Sequence, residues 1–592
     1  MVAEIFRDRR CMLSHARSCR TTIPKEYPSP LSPPASADAT PHLARVDKPA
    51  VIVLAADNPV LGDSHSSAQV TPAAIKKAIL AEEAKSHNTL WDRMVLKSGY
   101  TFQFKEKKYM VRMLAFFASL GGMLSGVDQS LISGAKVSLV PSLSLTSHEQ
   151  SLVSALMPVG AMGGCIFLSP LNEFLGRRLS IMVACISYTV GGILCAATPN
   201  VEGLYAGRFF IGFGVGLESI IPAYVSECAP SELRGNLVSL YQFNIALGEV
   251  FGYAIAAMFY SLDDAWRYIL GSSLFFSTLL FVGMFFLPES PRYLVHKNKV
   301  GAAYSIWKRL RDIDDVSNKV EFLDMIQSLE QEKLEDAHLS SKHKWMDFIT
   351  NPRARRSLVY ANIMIFLGQF TGVNAIMYYM STLMASIGFN QKNSVFMSLV
   401  GGGALLLGTI PAILYMDYCG RRFWANSMLP GFFLGLVFVG ISYQLPVTDA
   451  SALGLYLTGI ILYMGFFGSY ACLTWVVPSE VYPTYLRSYG ITASSTMLYL
   501  WTFIITYNFT DMWNAFTNTG LTLGFYGGIA ALGWIYQLLF VVETKGRSLE
   551  EIDDLFSKPT LTLVGINLKC TKRDFYNIFH GNFKEVVRGT SY

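Results

Sequence analysis

Charge is what this sequence has least of. Asp, Glu, Lys and Arg make up 15% of its 592 residues, against about 25% in an average soluble domain. With 52% hydrophobic residues and a mean hydropathy of +0.34, the chain is too apolar for one soluble core. The nine cysteines form no metal-ligand spacing and no disulfide framework. Most lie within apolar runs and read as buried free thiols. Period-two alternation is missing, which argues against a β-barrel. No nucleophile–base set, metal cluster or phosphate-binding loop appears, so neither an enzyme nor a cofactor is expected. The net charge of +5 is modest and gives no nucleic-acid signal. No cleavable signal pattern opens the chain.

In place of charge there are about twelve apolar runs, each near the 20 residues that cross a bilayer. They lie near 110–134, 150–170, 180–198, 203–225, 237–260, 268–287, 357–384, 394–416, 425–444, 454–477, 488–511 and 521–541. Basic residues fall in alternate loops: Arg177 and Arg178, Arg234, the 288–356 segment, Arg421 and Arg422, and Arg487. The positive-inside rule puts those loops and both termini in the cytosol. Residues 1–105 read as a disordered cytosolic tail with a short helix near Ala73–Lys85. The 106–287 and 357–544 stretches each hold six runs. Between them, 288–356 reads as a linker with short amphipathic helices, Ala302–Arg311 and Val320–Glu335. The 545–592 stretch reads as a polar cytosolic tail.

The two halves repeat. Gly176-Arg177-Arg178 follows the second run and Gly420-Arg421-Arg422 the eighth, each Gly preceded by an acid three residues earlier, Glu173 and Asp417. Glu227 precedes Arg234, and Glu480 precedes Arg487, by seven residues. Duplicated halves are the mark of many transporters. Acids and arginines at cytosolic helix ends suit bridges that hold one conformation and break in another. The bland alternative is a set of topology anchors.

Polar residues inside the runs point to a solute path, because an unpartnered polar group in hydrocarbon costs about 2–7 kcal/mol. The richest string is Gly368 to Tyr379, with Gln369, Asn374, Tyr378 and Tyr379. Asp128 in the first run has a natural partner in Arg208 of the fourth, which stays charged at any ordinary pH. Glu249 lies seven residues after Gln242, about two helical turns, so the two share a face. Glu218 is a further buried acid, either functional or satisfied by a neighbour.

These residues carry a resemblance. Gly126-Val-Asp128 with Ile132-Ser-Gly-Ala135, Gly207-Arg208, Glu227 with Pro230 to Arg234-Gly235, Trp266-Arg267, Pro288-Glu-Ser-Pro-Arg292, Gln369 to Tyr379, and Glu543 to Ile552 stand in one order. From about 110 to 555 the chain resembles a sugar porter of the major facilitator superfamily, of fungal type. The resemblance implies an all-α membrane protein of twelve transmembrane helices in two pseudo-symmetric six-helix bundles. It implies a central site and alternating access. It makes Asp128 and Arg208 the proton-coupling pair, where the alternative is a permanent salt bridge. It makes Gln242, Gln369, Asn374, Tyr379 and Trp475 contacts of a polyhydroxy solute, with Glu249 added from its place on the Gln242 face.

The departures from the family are as informative. Gly368 stands where hexose porters commonly have Gln, and Leu405 and Leu498 where Asn is common. Phe174 and Tyr418 replace an Arg, and Val542 a Pro. A buried hydroxyl without a partner costs about 1–3 kcal/mol, so glucose is not a safe default, and a cyclitol, another polyol or a less hydroxylated metabolite stay open as substrates. The leading expectation is a monomeric plasma-membrane importer of a sugar or polyol by proton symport, in contact with membrane lipid. The alternatives are a facilitator or exporter of a non-sugar metabolite, and a non-transporting nutrient receptor.

Overall fold

A backbone in hydrocarbon must satisfy its own N–H and C=O groups, so a long apolar run there becomes a helix. The computed structural model describes residues 107–230, 234–311, 316–338, 344–446, 450–483, 486–545, 549–580 and 582. The chain divides into two units, Met1–Gln69 and Val70–Tyr592, and every described residue belongs to the second. The tail expected over 1–105 and its helix near Ala73–Lys85 lie outside the described residues.

All twelve runs are helical, and no strand occurs among the described residues. Span one is Lys107–Leu143, span two Ser147–Leu175, span three Arg177–Ala197. Span four is Val201–Glu218 continued by Ile221–Cys228, span five Arg234–Phe259, span six Ala265–Gly271 with Ser273–Phe286. Span seven is Pro352–Phe370 with Val373–Ser386, span eight Gln391–Cys419, span nine Arg421–Ser442. Span ten is Ala450–Val481 and span eleven Arg487–Ala515. Span twelve opens as a π-helix, Gly520–Gly527, and continues as Gly528–Phe540. Eleven of these are long and apolar enough to cross a membrane. Span eleven is long enough at 29 residues, but its Ser, Thr, Tyr and Asn content lowers its hydropathy. Large apolar side chains such as Phe167, Phe275, Leu407, Leu532 and Ile535 stand exposed on the outer helix faces, as a lipid solvent allows.

Helix packing repeats between the halves. Span one packs on five as seven does on eleven, two on four as eight on ten, and three on six as nine on twelve. Small residues bring the backbones together. A Cβ at Gly126 would strike the Ile245 carbonyl of span five, and one at Gly212 the Met157 carbonyl of span two. The halves meet where span two packs on eleven, five on eight and on ten, and one on seven.

Span seven breaks at Gly372, whose φ is +92°. Breaking a helix strands carbonyl groups. Here the Tyr463 hydroxyl donates to the Thr371 carbonyl (2.8 Å), so the break is held open by span ten. The linker forms helices Pro291–His296, Val300–Leu310, Val316–His338 and Lys344–Thr350, two of them close to the expected positions. Beyond span twelve come helices Leu549–Ser557 and Thr560–Phe579, where only a polar tail was expected.

Candidate functional site

Asp128 and Arg208 meet in the middle of the first half, both buried at 2% and 0% exposure. Arg208 Nη1 donates to Asp128 Oδ1 at 2.5 Å, and Arg208 Nε donates to the Val153 carbonyl at 2.9 Å. The pair thus ties spans one, four and two. It is monodentate: Asp128 Oδ2 and Arg208 Nη2 have no hydrogen-bond partner among the described residues. Removing one charge of such a buried pair leaves the other uncompensated, at about 3–5 kcal/mol. A carboxyl with one oxygen unspent can take a proton without first losing a neutral neighbour.

The expected solute contacts fall into three groups. Gln242 of span five accepts from Trp475 Nε1 of span ten (2.9 Å), and the Trp475 ring stands edge-on to Tyr241. This joins the two halves. Gln369 Oε1 accepts from the Asn374 amide and from Thr502 Oγ1 (3.2 Å), so the cluster spans the break in span seven and reaches span eleven. Tyr379 stands apart. Its hydroxyl accepts from Thr510 (3.3 Å), and its ring face is covered by the Lys136 ammonium, 3.3 Å from the centroid. Glu249 is buried, and its Oε2 has no partner among the described residues. Both Glu218 oxygens are likewise unpartnered.

Between the halves lies a small, partly open pocket, with Ser219, Ala223, Trp475, Pro478, Ser494 and Leu498 on its wall. It lies toward the side of the molecule that carries the paired arginines of both halves. Of the expected contacts, Trp475 lines it. On the opposite side the seams are shut by neutral groups: Ser133 with Ser381 (3.4 Å), Ser151 with Thr510 (3.1 Å), and His148 with Tyr507 (3.1 Å). Lys136, 4% exposed, adds a bond to the Tyr378 carbonyl (3.3 Å).

Sequence reasoning overlooked Lys136. The signal was present, since an ionisable residue within a span is a functional candidate by default.

The departures have a physical account. A Cβ on Gly368 would lie 3.1 Å from Tyr470 Cε1. Tyr470 cannot step aside, because its hydroxyl donates to the Met364 carbonyl (2.9 Å) and accepts from Gln537 Nε2 (2.8 Å). Leu405 is fully buried, and Leu498 faces the cavity. Gly368→Gln should therefore lower the melting temperature in detergent, losing about 1–3 kcal/mol to overpacking, without gaining hexose uptake. A stable Gly368→Gln protein with raised hexose uptake would show that the Tyr470 ring yields.

The arginine-rich side is built twice. Arg177 Nη2 pairs with Glu227 (3.0 Å), and Arg421 Nη2 with Glu480 (2.5 Å) and Nη1 with Asp417 (3.1 Å). Ser290 donates to Glu227, and Thr544 to Glu480. Arg178 instead donates to the Met284 and Phe285 carbonyls at the end of span six. Arg422 does the same at the end of span twelve, to the Leu538 and Val541 carbonyls. Glu173 is exposed, with no ion pair to a described residue. The Arg234 side chain lies outside the described residues, and Arg487 opens span eleven.

Two acids that sequence reasoning left without a role complete the repeat. Glu289 accepts from the backbone N–H groups of Arg177 (3.0 Å), Arg178 (3.2 Å) and Ser290 (2.9 Å). Glu543 accepts from those of Arg421 (2.9 Å), Arg422 (3.0 Å) and Lys545 (2.9 Å). Each caps a helix N-terminus whose donors would otherwise be stranded. The approach needs Gly176 and Gly420, at φ +89° and +92°, because a Cβ there would collide with the capping carboxylate.

Burial pushes the Glu289 carboxyl up to about 7, against the pull of its backbone donors and Arg177. A folded-state value above the unfolded one gives stability that is complete below about pH 4.5 and lost as pH rises through about 7. Relative to Glu289→Gln, the wild type should lose about 3 kcal/mol across that window, read by thermal unfolding in detergent. A constant difference between the two proteins would show that the cap stays charged throughout.

Comparison with known proteins adds four matches. Residues 114–556 match a family described as Sugar (and other) transporter. The chain is 57% identical over 495 residues to the myo-inositol transporter FST1 of Gibberella moniliformis, covering 83% of this chain and 86% of that one. It is 31% identical over 457 residues to the galactose-proton symporter of Escherichia coli, covering 76% and 95%. In structure it resembles the proton:xylose symporter XylE bound to 6-bromo-6-deoxy-D-glucose, with a TM-score of 0.66 over 76% of this chain and 100% of that one. At 23% identity, that likeness concerns the fold alone.

Proposed function

We propose, from the premise that this chain belongs to the sugar transporter family, that it imports a cyclitol of the myo-inositol class by proton symport. The observation that carries this reading is the buried, monodentate Asp128–Arg208 pair. The Gln369–Asn374–Thr502 cluster lies within the second half, and the Gln242–Trp475 bond joins the two halves. Protonation of Asp128 weakens its hold on Arg208, which joins three helices, and so biases which side is open. Gln242, Glu249, Gln369, Asn374, Tyr379 and Trp475 are the residues we assign to the solute. Amides both donate and accept, so one Gln clasps a hydroxyl in either sense. The 57% identity to a myo-inositol transporter favours a cyclitol, and Gly368, Leu405 and Leu498 stand where hexose porters commonly have amides.

In this reading 106–287 and 357–544 are the moving bundles and 288–356 couples them. The protein works as a monomer in the plasma membrane, with both tails and the arginine-rich face in the cytosol. The cavity at Trp475 then belongs to an inward-facing state. Glu227, Glu480, Asp417 and Glu173 with Arg177, Arg178, Arg234, Arg421, Arg422 and Arg487 form the gating set.

The test is uptake in cells lacking their own sugar and inositol porters, with labelled myo-inositol, hexoses, pentoses and glycerol. Myo-inositol accumulation that disappears when the proton gradient collapses supports the reading. Uptake indifferent to the gradient makes the protein a facilitator, and no uptake of any polyol overturns the proposal.

A further inference from the structure

We propose that the helix Thr560–Phe579 lies along the membrane surface on the arginine-rich side and binds the headgroups of anionic lipids. Its depth is fixed by hydrogen bonds. Asn567 Nδ2 donates to the Leu539 carbonyl (2.8 Å), one residue before span twelve ends at Phe540. The helix is therefore pinned where the apolar run stops, at the boundary between hydrocarbon and water.

Its two faces differ. Leu563 and Asn567 are buried against the protein. Outward stand Leu561, Leu568 and Phe575, and beside them Tyr576; Leu561 is 86% exposed and Leu568 50%. Positions 561, 568 and 575 are seven apart, so they form one stripe along the helix. The stripe continues the exposed apolar belt of span twelve, where Leu532 and Ile535 stand. Lys569, Lys572 and Arg573 are exposed on the adjoining edge, against one acid, Asp574, paired with Arg573 at 3.6 Å. An apolar stripe edged by bases and aromatics is what an interfacial helix presents to lipid, and the bases select anionic headgroups.

The helix also touches the gate. Arg422 Nη2 donates to the Asn567 carbonyl (3.1 Å) and to Thr571 Oγ1 (2.8 Å). Among the described residues the side chain of its counterpart Arg178 bonds only the end of its own span six. The second repeat thus carries an attachment that the first lacks, and lipid docking would hold Arg422 in place.

The experiment is amide hydrogen exchange of 560–579 in the full-length protein, in bilayers of phosphatidylcholine alone and with phosphatidylserine added. This readout does not depend on the transported solute, so it can fail while the proposed function stands. Exchange should slow when phosphatidylserine is present. The variant Lys569→Gln/Lys572→Gln/Arg573→Gln should lose that slowing, by about fivefold per base. Leu561→Ser/Leu568→Ser should exchange faster in both bilayers. Equal exchange of the wild type in the two bilayers, or unchanged slowing in the triple variant, overturns the proposal. Slowing that requires an added protein, and not lipid, overturns it as well.

Discussion

Asp128→Asn should bring the accumulation ratio of labelled solute to about one, while exchange of solute across the membrane continues. The ratio follows from thermodynamics. A carrier that no longer binds a proton in one state more tightly than in the other cannot draw on the proton gradient, and solute then only equilibrates. Continued exchange follows from geometry, because the amide cluster of Gln369, Asn374 and Thr502 is separate from the pair. Asparagine also leaves Arg208 as a buried cation without its counter-ion, at about 3–5 kcal/mol. The variant should accordingly melt earlier. Exchange is the control that separates this cost from uncoupling, since an unfolded carrier exchanges nothing. An Asp128→Asn protein that concentrates solute as the wild type does would falsify the coupling role.

Lys136→Met should open the side of the molecule that is shut in this structure. Lys136 bridges span one to the second half of span seven, through the Tyr378 carbonyl and the Tyr379 ring. A desolvated cation–π contact is worth about 2 kcal/mol. Losing it from one conformation shifts the balance about 30-fold toward the other. Methionine keeps the length and the apolar stem, so packing survives. The readout is the distance between spin labels on spans two and eleven near Ser151 and Thr510, which should gain a longer population in the variant. Arginine at 136 keeps the cation and should restore much of the short population. An unchanged distance distribution in Lys136→Met would reduce the lysine to a packing residue.

Hydropathy made the spans legible, because a membrane leaves the backbone little choice but the helix. Their ends move by a few residues, and span one runs nine past its expected end at 134, to Leu143. Three features were not legible, each for its own reason. The break at Gly372 interrupts no apolar run, so hydropathy passes over it. The helix Thr560–Phe579 mixes Lys, Asn and Thr with Leu and Phe, so its average is neutral and only its faces differ. Apart from Asp417 with Arg421, four residues apart on one helix, the ion pairs obey tertiary distance, not sequence spacing. The repeat spaced Glu227 from Arg234, whereas the structure joins Glu227 to Arg177. The monodentate geometry of Asp128 and Arg208 also depends on the Val153 carbonyl of a third helix, which no pairwise spacing encodes.

The ion pairs described above share one property. Asp128 with Arg208, Arg177 with Glu227, and Arg421 with Asp417 and Glu480 each lie within one half. The contacts that close the seam opposite the arginines are hydroxyls, a histidine and a lysine lodged among neutral groups. Dissolved salt screens exposed charges and leaves the buried Ser133–Ser381 and Lys136–Tyr378 contacts almost untouched. The closed seam should thus hold almost equally at low and high ionic strength, while the grip of the terminal helix on anionic lipid weakens as salt rises. Raising the salt would then act as a selective solvent, loosening the terminal helix from the bilayer surface while the seam opposite the arginines stays shut.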